Sequence, residues 1–105
     1  MSFNRLEQLF AFLEESPNDP FLLFATAKEY EKLGKETEAL DYYLKLVKEQ
    51  PEYVGTYYHL GKYYERQGQF EEALSIYEKG VVVAEKAGDR HALSELNGAK
   101  WELED

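Results

Sequence analysis

The residues of this chain whose type and spacing could hold a metal ion are His91 and Glu95. They stand four positions apart, so a helix would place both side chains on one face. A zinc site in a protein uses three or four ligands, and the chain has no cysteine to supply the missing ones. The other histidine, His59, lies beside the groove predicted below and is interpreted as a surface residue. Two ligands are too few, so we expect neither a metal ion nor another cofactor.

The candidate groups for covalent or acid–base catalysis are equally sparse. Ser16, Ser75 and Ser94 have no recognisable nucleophile setting. Glu71 and Glu72 are neighbours on a predicted helix, so their carboxylates do not face each other across a cleft. The glycines stand at expected helix ends or helix contacts and form no phosphate-binding loop. We therefore expect no enzymatic activity.

Charge and composition describe one acidic, folded domain. The 105 residues (12.3 kDa) include 21 Asp and Glu against 12 Lys and Arg, a net charge of −9. Phosphate backbones and anionic membranes attract clustered Lys and Arg, so we expect no nucleic-acid partner and no membrane surface. The aromatic content of 15% argues against disorder. Neither a signal peptide nor a membrane span is predicted, because acids interrupt the N-terminus and the apolar runs are short; a cytoplasmic location is expected.

Apolar residues recur with helical spacing along almost the whole chain. The pattern predicts a first helix with Phe3 and Leu13 in its stripe, and further helices over residues 21–33, 37–49, 54–67, 70–86 and from 90 towards the end. A strand at VVVA (81–84) is the alternative at that place, since valine favours extended structure. Four residues without a partner strand make no sheet, so we predict an all-α fold with antiparallel neighbouring helices.

An internal repeat with a period of 34 residues organises these helices. Identical residues recur at that offset over two consecutive predicted helices, and the matches stay in phase. The pairs are Tyr30 with Tyr64, Gly34 with Gly68, Glu38 with Glu72, Ala39 with Ala73, Leu40 with Leu74, Tyr43 with Tyr77 and Lys45 with Lys79. Pro17 and Pro51 share the offset, so the first helix is the second half of a preceding, truncated unit.

With this repeat the chain resembles the tetratricopeptide repeat family, whose 34-residue unit is a helix–turn–helix. The second unit follows the family pattern with Tyr57 in the usual Trp place, then Leu60, Gly61, Tyr64, Ala73, Tyr77 and Gly80. In the first unit Thr26 replaces the usual Leu, and Leu46 replaces a small residue. The resemblance implies a single domain, residues 1–105, folded as a short right-handed α-solenoid of about six helices. Its parts would be a half-repeat helix (1–16), two repeats (20–53 and 54–87) and a capping helix (88–105).

Small residues are predicted to bring the two helices of each unit close together. The positions concerned are Ala27 and Ala39 in the first unit and Gly61 and Ala73 in the second. We expect Tyr30 and Tyr64 to fill the space beside them. Tyr43 and Tyr77 should carry the packing towards the next unit, because aromatic rings bury large areas. Gly80 is predicted to be the contact point for the sixth helix.

The residues left over after this packing form a second stripe on the first helix of each unit. They are Phe21, Phe24, Lys28, Glu31 and Lys32 in the first unit and Tyr58, Lys62, Glu65 and Arg66 in the second. Spacings of three and four residues keep each set on one face or at its margin. In the family that this chain resembles, the corresponding face lines a concave groove that holds a peptide or a partner helix. The resemblance therefore implies a protein–protein interaction module, an adaptor or a scaffold.

The chemistry of this predicted groove indicates its ligand. The groove is aromatic at one end and mostly basic along its length, so an acidic and partly apolar segment of another protein is the expected partner. The alternative is that these side chains are solvated and pair with one another, as Lys28 and Glu31 can. Some family members clamp a terminal carboxylate with Lys and Asn. The asparagines here, Asn4, Asn18 and Asn97, lie outside the groove-forming helices, so that mode is not predicted.

The last predicted helix has an apolar stripe that would cap the array, made by Ala92, Leu96, Ala99 and Leu103. On an unbroken helix Trp101 points away from that stripe. Either Asn97-Gly98 breaks the helix and folds the indole back, or the indole is exposed to meet another chain. The second possibility leads to the alternative function, a self-assembly module that forms a homodimer through the helix around Trp101.

Overall fold

The computed structural model describes residues 4–104, which form six α-helices joined by short turns. The helices are α1 (Arg5–Glu15), α2 (Pro20–Lys32), α3 (Glu36–Glu49), α4 (Gly55–Arg66), α5 (Phe70–Ala87) and α6 (Arg90–Glu104). They divide into two compact units between Gln50 and Pro51. The described residues contain no strand, and the VVVA run lies inside α5. The prediction of an all-α fold of about six helices is confirmed.

The sequence-based helix bounds are close to the observed ones, and α6 decides between the two alternatives left open at Asn97 and Gly98. This helix runs unbroken through Asn97 and Gly98. A Cβ atom at Gly98 would meet nothing within 4 Å, and its φ is not positive. The glycine therefore occupies an ordinary helical turn at a cost of about 1 kcal/mol relative to alanine. Phe3, assigned to the first stripe, lies outside the described residues.

Side-chain caps explain where α1, α2 and α6 start. Asn4, Asp19 and Asp89 each accept a hydrogen bond from the backbone N–H three residues later, at 2.8, 3.2 and 3.0 Å. These bonds satisfy N–H groups that have no partner within the helix. Gly34, just beyond α2, has a φ of 77°, a left-handed conformation that favours glycine and reverses the chain towards α3. None of the helices within residues 4–104 has the length and apolar character needed to cross a bilayer.

In the first unit, α2 packs along α3, and α1 packs on α2. The hydrophobic side chains with no exposed surface are Leu23, Ala27, Ala39, Tyr43 and Leu46. Tyr30 stacks on Tyr42 with the ring centroids 5.8 Å apart. The helix α1 contributes the buried Leu9 and an ion pair between Arg5 Nε and Glu29 Oε1 at 3.6 Å.

In the second unit, α5 lies between α4 and α6 and packs on both. The most deeply buried hydrophobic side chains are Leu60, Ala73, Tyr77, Ala84 and Leu96. Tyr57 is also buried, and its hydroxyl donates a hydrogen bond to the backbone oxygen of Pro51. This bond ties the segment that precedes α4 to the helix itself.

Two glycines set how closely the helices of the second unit approach. A Cβ atom at Gly61 would lie 2.2 Å from Tyr77 Cε1, and one at Gly80 would lie 2.5 Å from Tyr57 Cβ and 3.0 Å from Leu96 Cδ1. Gly80 therefore contacts α6, as predicted, and α4 as well. The expectation that Tyr64 fills the space beside Gly61 is wrong, because the facing helix α5 supplies Tyr77 there.

Candidate functional site

The outward face of α2 carries the residues predicted for the first part of the groove. Phe21 is 64% exposed, Lys28 and Lys32 are exposed, and Phe24 is half-buried. The fully buried residues of α2, including Leu23, lie on the side of the helix that packs against α3. This leaves a face on which an aromatic ring and two cations are accessible together.

The carboxylate of Glu31, also predicted for the groove, contacts two other side chains of the first unit. Its Oε1 lies 3.5 Å from Lys28 Nζ and accepts a hydrogen bond of 2.5 Å from the hydroxyl of Tyr43 on α3. The Tyr43 ring also meets Phe24 edge to face, with the centroids 6.3 Å apart. Lys28, Glu31 and Tyr43, here called the first cluster, therefore join α2 to α3 at the edge of the candidate face.

The outward face of α4 repeats this arrangement in the second unit. Lys62 Nζ lies 3.5 Å from Glu65 Oε2, which accepts a hydrogen bond from the hydroxyl of Tyr77 on α5. Lys62 Nζ also lies 5.5 Å from the centroid of the Tyr58 ring. Lys62, Glu65 and Tyr77, here called the second cluster, join α4 to α5. Arg66, at the margin, lies over the Tyr63 ring at 6.0 Å.

The buried hydroxyl of Tyr77 resists ionisation. Burial raises the pKa of Tyr77 above its usual value of 10.0, and the hydrogen bond to Glu65 and the negative charge of that carboxylate raise it further. The unfolded chain retains the ordinary pKa. The stabilisation that corresponds to this shift is therefore fully present below about pH 10 and is lost as the pH rises towards the folded-state pKa.

Replacing Tyr77 with phenylalanine should lower the free energy of unfolding by about 1–2 kcal/mol near pH 7, because Glu65 loses a hydrogen-bond donor in a half-buried place. The difference from the unsubstituted chain should shrink above about pH 10, where the phenol of the unfolded chain ionises and the buried one does not. Urea titrations near pH 7 and at about pH 11 measure the two differences. A difference that stays constant over this range would contradict the raised pKa.

The face of α4 has a second wall that the sequence analysis did not assign to the site. A cavity of about 170 Å³ lies between α4 and α6, lined by Tyr58 and Lys62 on one side and by Ser94, Glu95, Gly98, Ala99 and Glu102 on the other. A signal for these α6 residues exists in the sequence. Positions 95, 98 and 102 flank the apolar stripe of Leu96 and Ala99 at helical spacing, so they must line its edge once the stripe is buried.

The two histidines each contact a neighbouring side chain on their own helix. His91 Nε2 and Glu95 Oε1 are 3.6 Å apart, a pair that is ionic only when the imidazole is protonated. His59 meets the Tyr58 ring edge to face at 5.5 Å. Between residues 4 and 104, no group of three or more potential ligands is arranged to hold a metal ion.

The indole of Trp101 is 65% exposed on the continuous helix α6. The buried stripe of that helix, Leu96 and Ala99, faces the rest of the second unit. Of the two arrangements considered for Trp101, the exposed one is observed.

Family models and solved structures identify what this chain is similar to. Models of the tetratricopeptide repeat match residues 22–53 and 42–75. A tetratricopeptide repeat domain protein from Salinibacter ruber is 44% identical; its crystal structure matches with a TM-score of 0.79 over 82% of this chain and 96% of that one. A solution structure of a tetratricopeptide repeat domain protein from the same organism gives 44% identity and a TM-score of 0.80 over 84% and 89% of the two chains.

A solution structure of a protein from Bordetella parapertussis extends the likeness along the chain. It is 25% identical, with a TM-score of 0.81 over 97% of this chain and 89% of that one. No curated protein matches the chain at a significant level.

Proposed function

We propose that this chain, which belongs to the tetratricopeptide repeat family, is an adaptor or scaffold that binds a peptide or partner helix. Tetratricopeptide repeats are in general protein–protein interaction modules, without enzymatic activity of their own. We place one contact surface on the outward face of α2 and another on that of α4, and the protein in the cytoplasm. The observation that carries the proposal is the exposed Phe21, which shares the face of α2 with the accessible cations of Lys28 and Lys32.

The face of α2 fits an acidic and partly apolar segment. Burying the exposed aromatic ring against an apolar side chain of a ligand lowers the free energy of the complex, and the two lysines attract carboxylates of that ligand. Glu31 offsets part of the charge of Lys28, with which it pairs, and its largely buried carboxylate also accepts the hydrogen bond of Tyr43. Lys32, one position on, adds a second exposed cation beside Lys28.

The experiment for the face of α2 uses a peptide selected against the chain from a displayed library. Replacing Lys28 with glutamate should weaken its binding about tenfold or more, since the charge reverses beside the bound carboxylates. Lys45→Glu, on the exposed side of α3, makes the same change of charge away from this face and should leave the affinity within about twofold. Equal affinities for the two variants would remove the assignment of the binding surface to α2.

A second candidate function, homodimerisation through α6, rests on the exposed Trp101. A large aromatic ring that is two-thirds exposed is a common anchor of protein interfaces. Light scattering over a dilution series would show a dimer that persists at low micromolar concentration, and Trp101→Ala should convert it to a monomer. A monomer throughout the series would contradict this function and leave peptide binding as the remaining one.

A further inference from the structure

The cavity between α4 and α6 differs in charge from the face of α2. Lys62 is the only cation in its lining, and its Nζ already lies 3.5 Å from Glu65 Oε2. The α6 wall adds the carboxylates of Glu95 and Glu102. Together with Glu65, the lining therefore sets one lysine against three carboxylates, and the field inside the cavity is negative.

The raised pKa of Tyr77, whose hydroxyl is bonded to Glu65, supports the negative sign of this field. Besides its burial and its bond to Glu65, the negative charge of Glu102 contributes to the raised pKa of Tyr77. A carboxylate of the α6 wall therefore acts electrostatically on a residue of α5, where Tyr77 is bonded to Glu65.

The shape of the cavity suits the end of a long side chain. The aromatic ring of Tyr58 forms one side, and the absence of a side chain at Gly98 leaves the other side open, since a Cβ atom there would meet nothing within 4 Å. The hydroxyl of Ser94 is a further acceptor in the lining. An aliphatic stem could lie against Tyr58 while its charged end approaches the carboxylates of α6.

We propose that this cavity between α4 and α6 receives a lysine or arginine side chain of the bound partner segment. The proposal deepens and rests on the proposed function, because it adds to the same site the chemistry that a partner must present at α4. It also reverses the ligand charge expected from the sequence, in which Lys62 and Arg66 indicated an acidic ligand for this part of the site. The reversal arises because Glu65 neutralises Lys62 and α6 supplies further carboxylates.

The test titrates the ¹⁵N-labelled chain with three blocked amino acids, N-acetyl-lysine, N-acetyl-norleucine and N-acetyl-glutamate methylamides. Only the lysine compound should produce saturable shifts of the Ser94 and Gly98 amide signals, with a dissociation constant in about the millimolar range. Glu102→Gln and Glu95→Gln should each weaken it about threefold, the effect expected of a partly exposed charge pair. Lys62→Gln should strengthen it, because the competing cation is gone.

Glu104→Gln is the matched control, since it removes the same charge from the same helix outside the cavity lining. It should leave the lysine affinity unchanged. The proposal is overturned if norleucine or glutamate binds as well as lysine, if none of the compounds produces saturable shifts, or if Glu104→Gln weakens binding as much as Glu102→Gln does.

The probe separates this proposal from the proposed function. A library peptide whose binding depends on Lys28, combined with unmoved Gly98 signals in the lysine titration, would overturn the cavity proposal alone. Saturable lysine binding, combined with equal peptide affinities of Lys28→Glu and Lys45→Glu, would overturn only the assignment of the face of α2.

Discussion

Replacing Gly61 with alanine should lower the free energy of unfolding by about 2 kcal/mol, although alanine is the better helix former. The added Cβ would lie 2.2 Å from Tyr77 Cε1, far inside van der Waals contact. The Tyr77 ring cannot move aside easily, because it is fully buried and its hydroxyl is bonded to Glu65. The helices α4 and α5 must therefore separate at this point, and urea denaturation followed by circular dichroism measures the loss.

Gly98→Ala is the matched control, since it makes the same substitution within a helix where the new Cβ meets nothing within 4 Å. It should stabilise the chain by up to about 1 kcal/mol through helix propensity alone. A second check is the double variant Gly61→Ala with Tyr77→Leu, in which the smaller side chain should make the alanine cost less than it does alone. If Gly61→Ala lowers the free energy of unfolding no more than Gly98→Ala does, the close approach of α4 and α5 is contradicted.

Replacing Leu96 with alanine should destabilise the chain by about 3 kcal/mol. Leu96 is almost completely buried, and its methyl groups lie beside Gly80, which has no side chain to fill the space that they leave. The loss should fall on the packing of α6, so protection of the α6 amides from hydrogen exchange should fall furthest. Since α6 forms one wall of the cavity, lysine binding should weaken in parallel.

Leu44→Ala provides the comparison for this deletion. Leu44 lies on α3 and is 43% exposed, so the same truncation there should cost less than about 1 kcal/mol. Similar losses at both positions would mean that burial does not explain the effect. A loss at Leu96 without reduced protection in α6 would show that the helix is held by other contacts.

The fold could be predicted because its signals are periodic and local. The 34-residue offset, the glycines at helix ends and the stripes of apolar residues each fix a helix or its end without knowledge of distant contacts. The prediction was left open at Asn97 and Gly98, where the local signal for a turn competes with helical neighbours on both sides. The helix continues through them, because burial of Leu96 and Ala99 on one stripe requires an unbroken turn.

The chemistry of the site was predicted less completely, because the charge of a surface depends on the side chains of other helices that lie near it. The face of α2 could be assigned from spacing alone, and its role as a binding surface stays a prediction. The hydrogen bonds of Tyr43 and Tyr77 to Glu31 and Glu65 cross between helices, and helical spacing carries no such information. The acidic wall supplied by α6 was missed because the sequence analysis did not place the edge of the apolar stripe of α6 next to α4.

The first and second clusters recur at the spacing of the repeat, and each is complete within one pair of helices. A gene segment that encodes one such pair therefore carries both partners of the bond that fastens it. In-frame duplication could lengthen the chain by one pair without a compensating change elsewhere in the existing pairs. Growth of this kind enlarges the protein in steps of a fixed size, and later divergence of single surface positions can give each copy its own preference for a ligand.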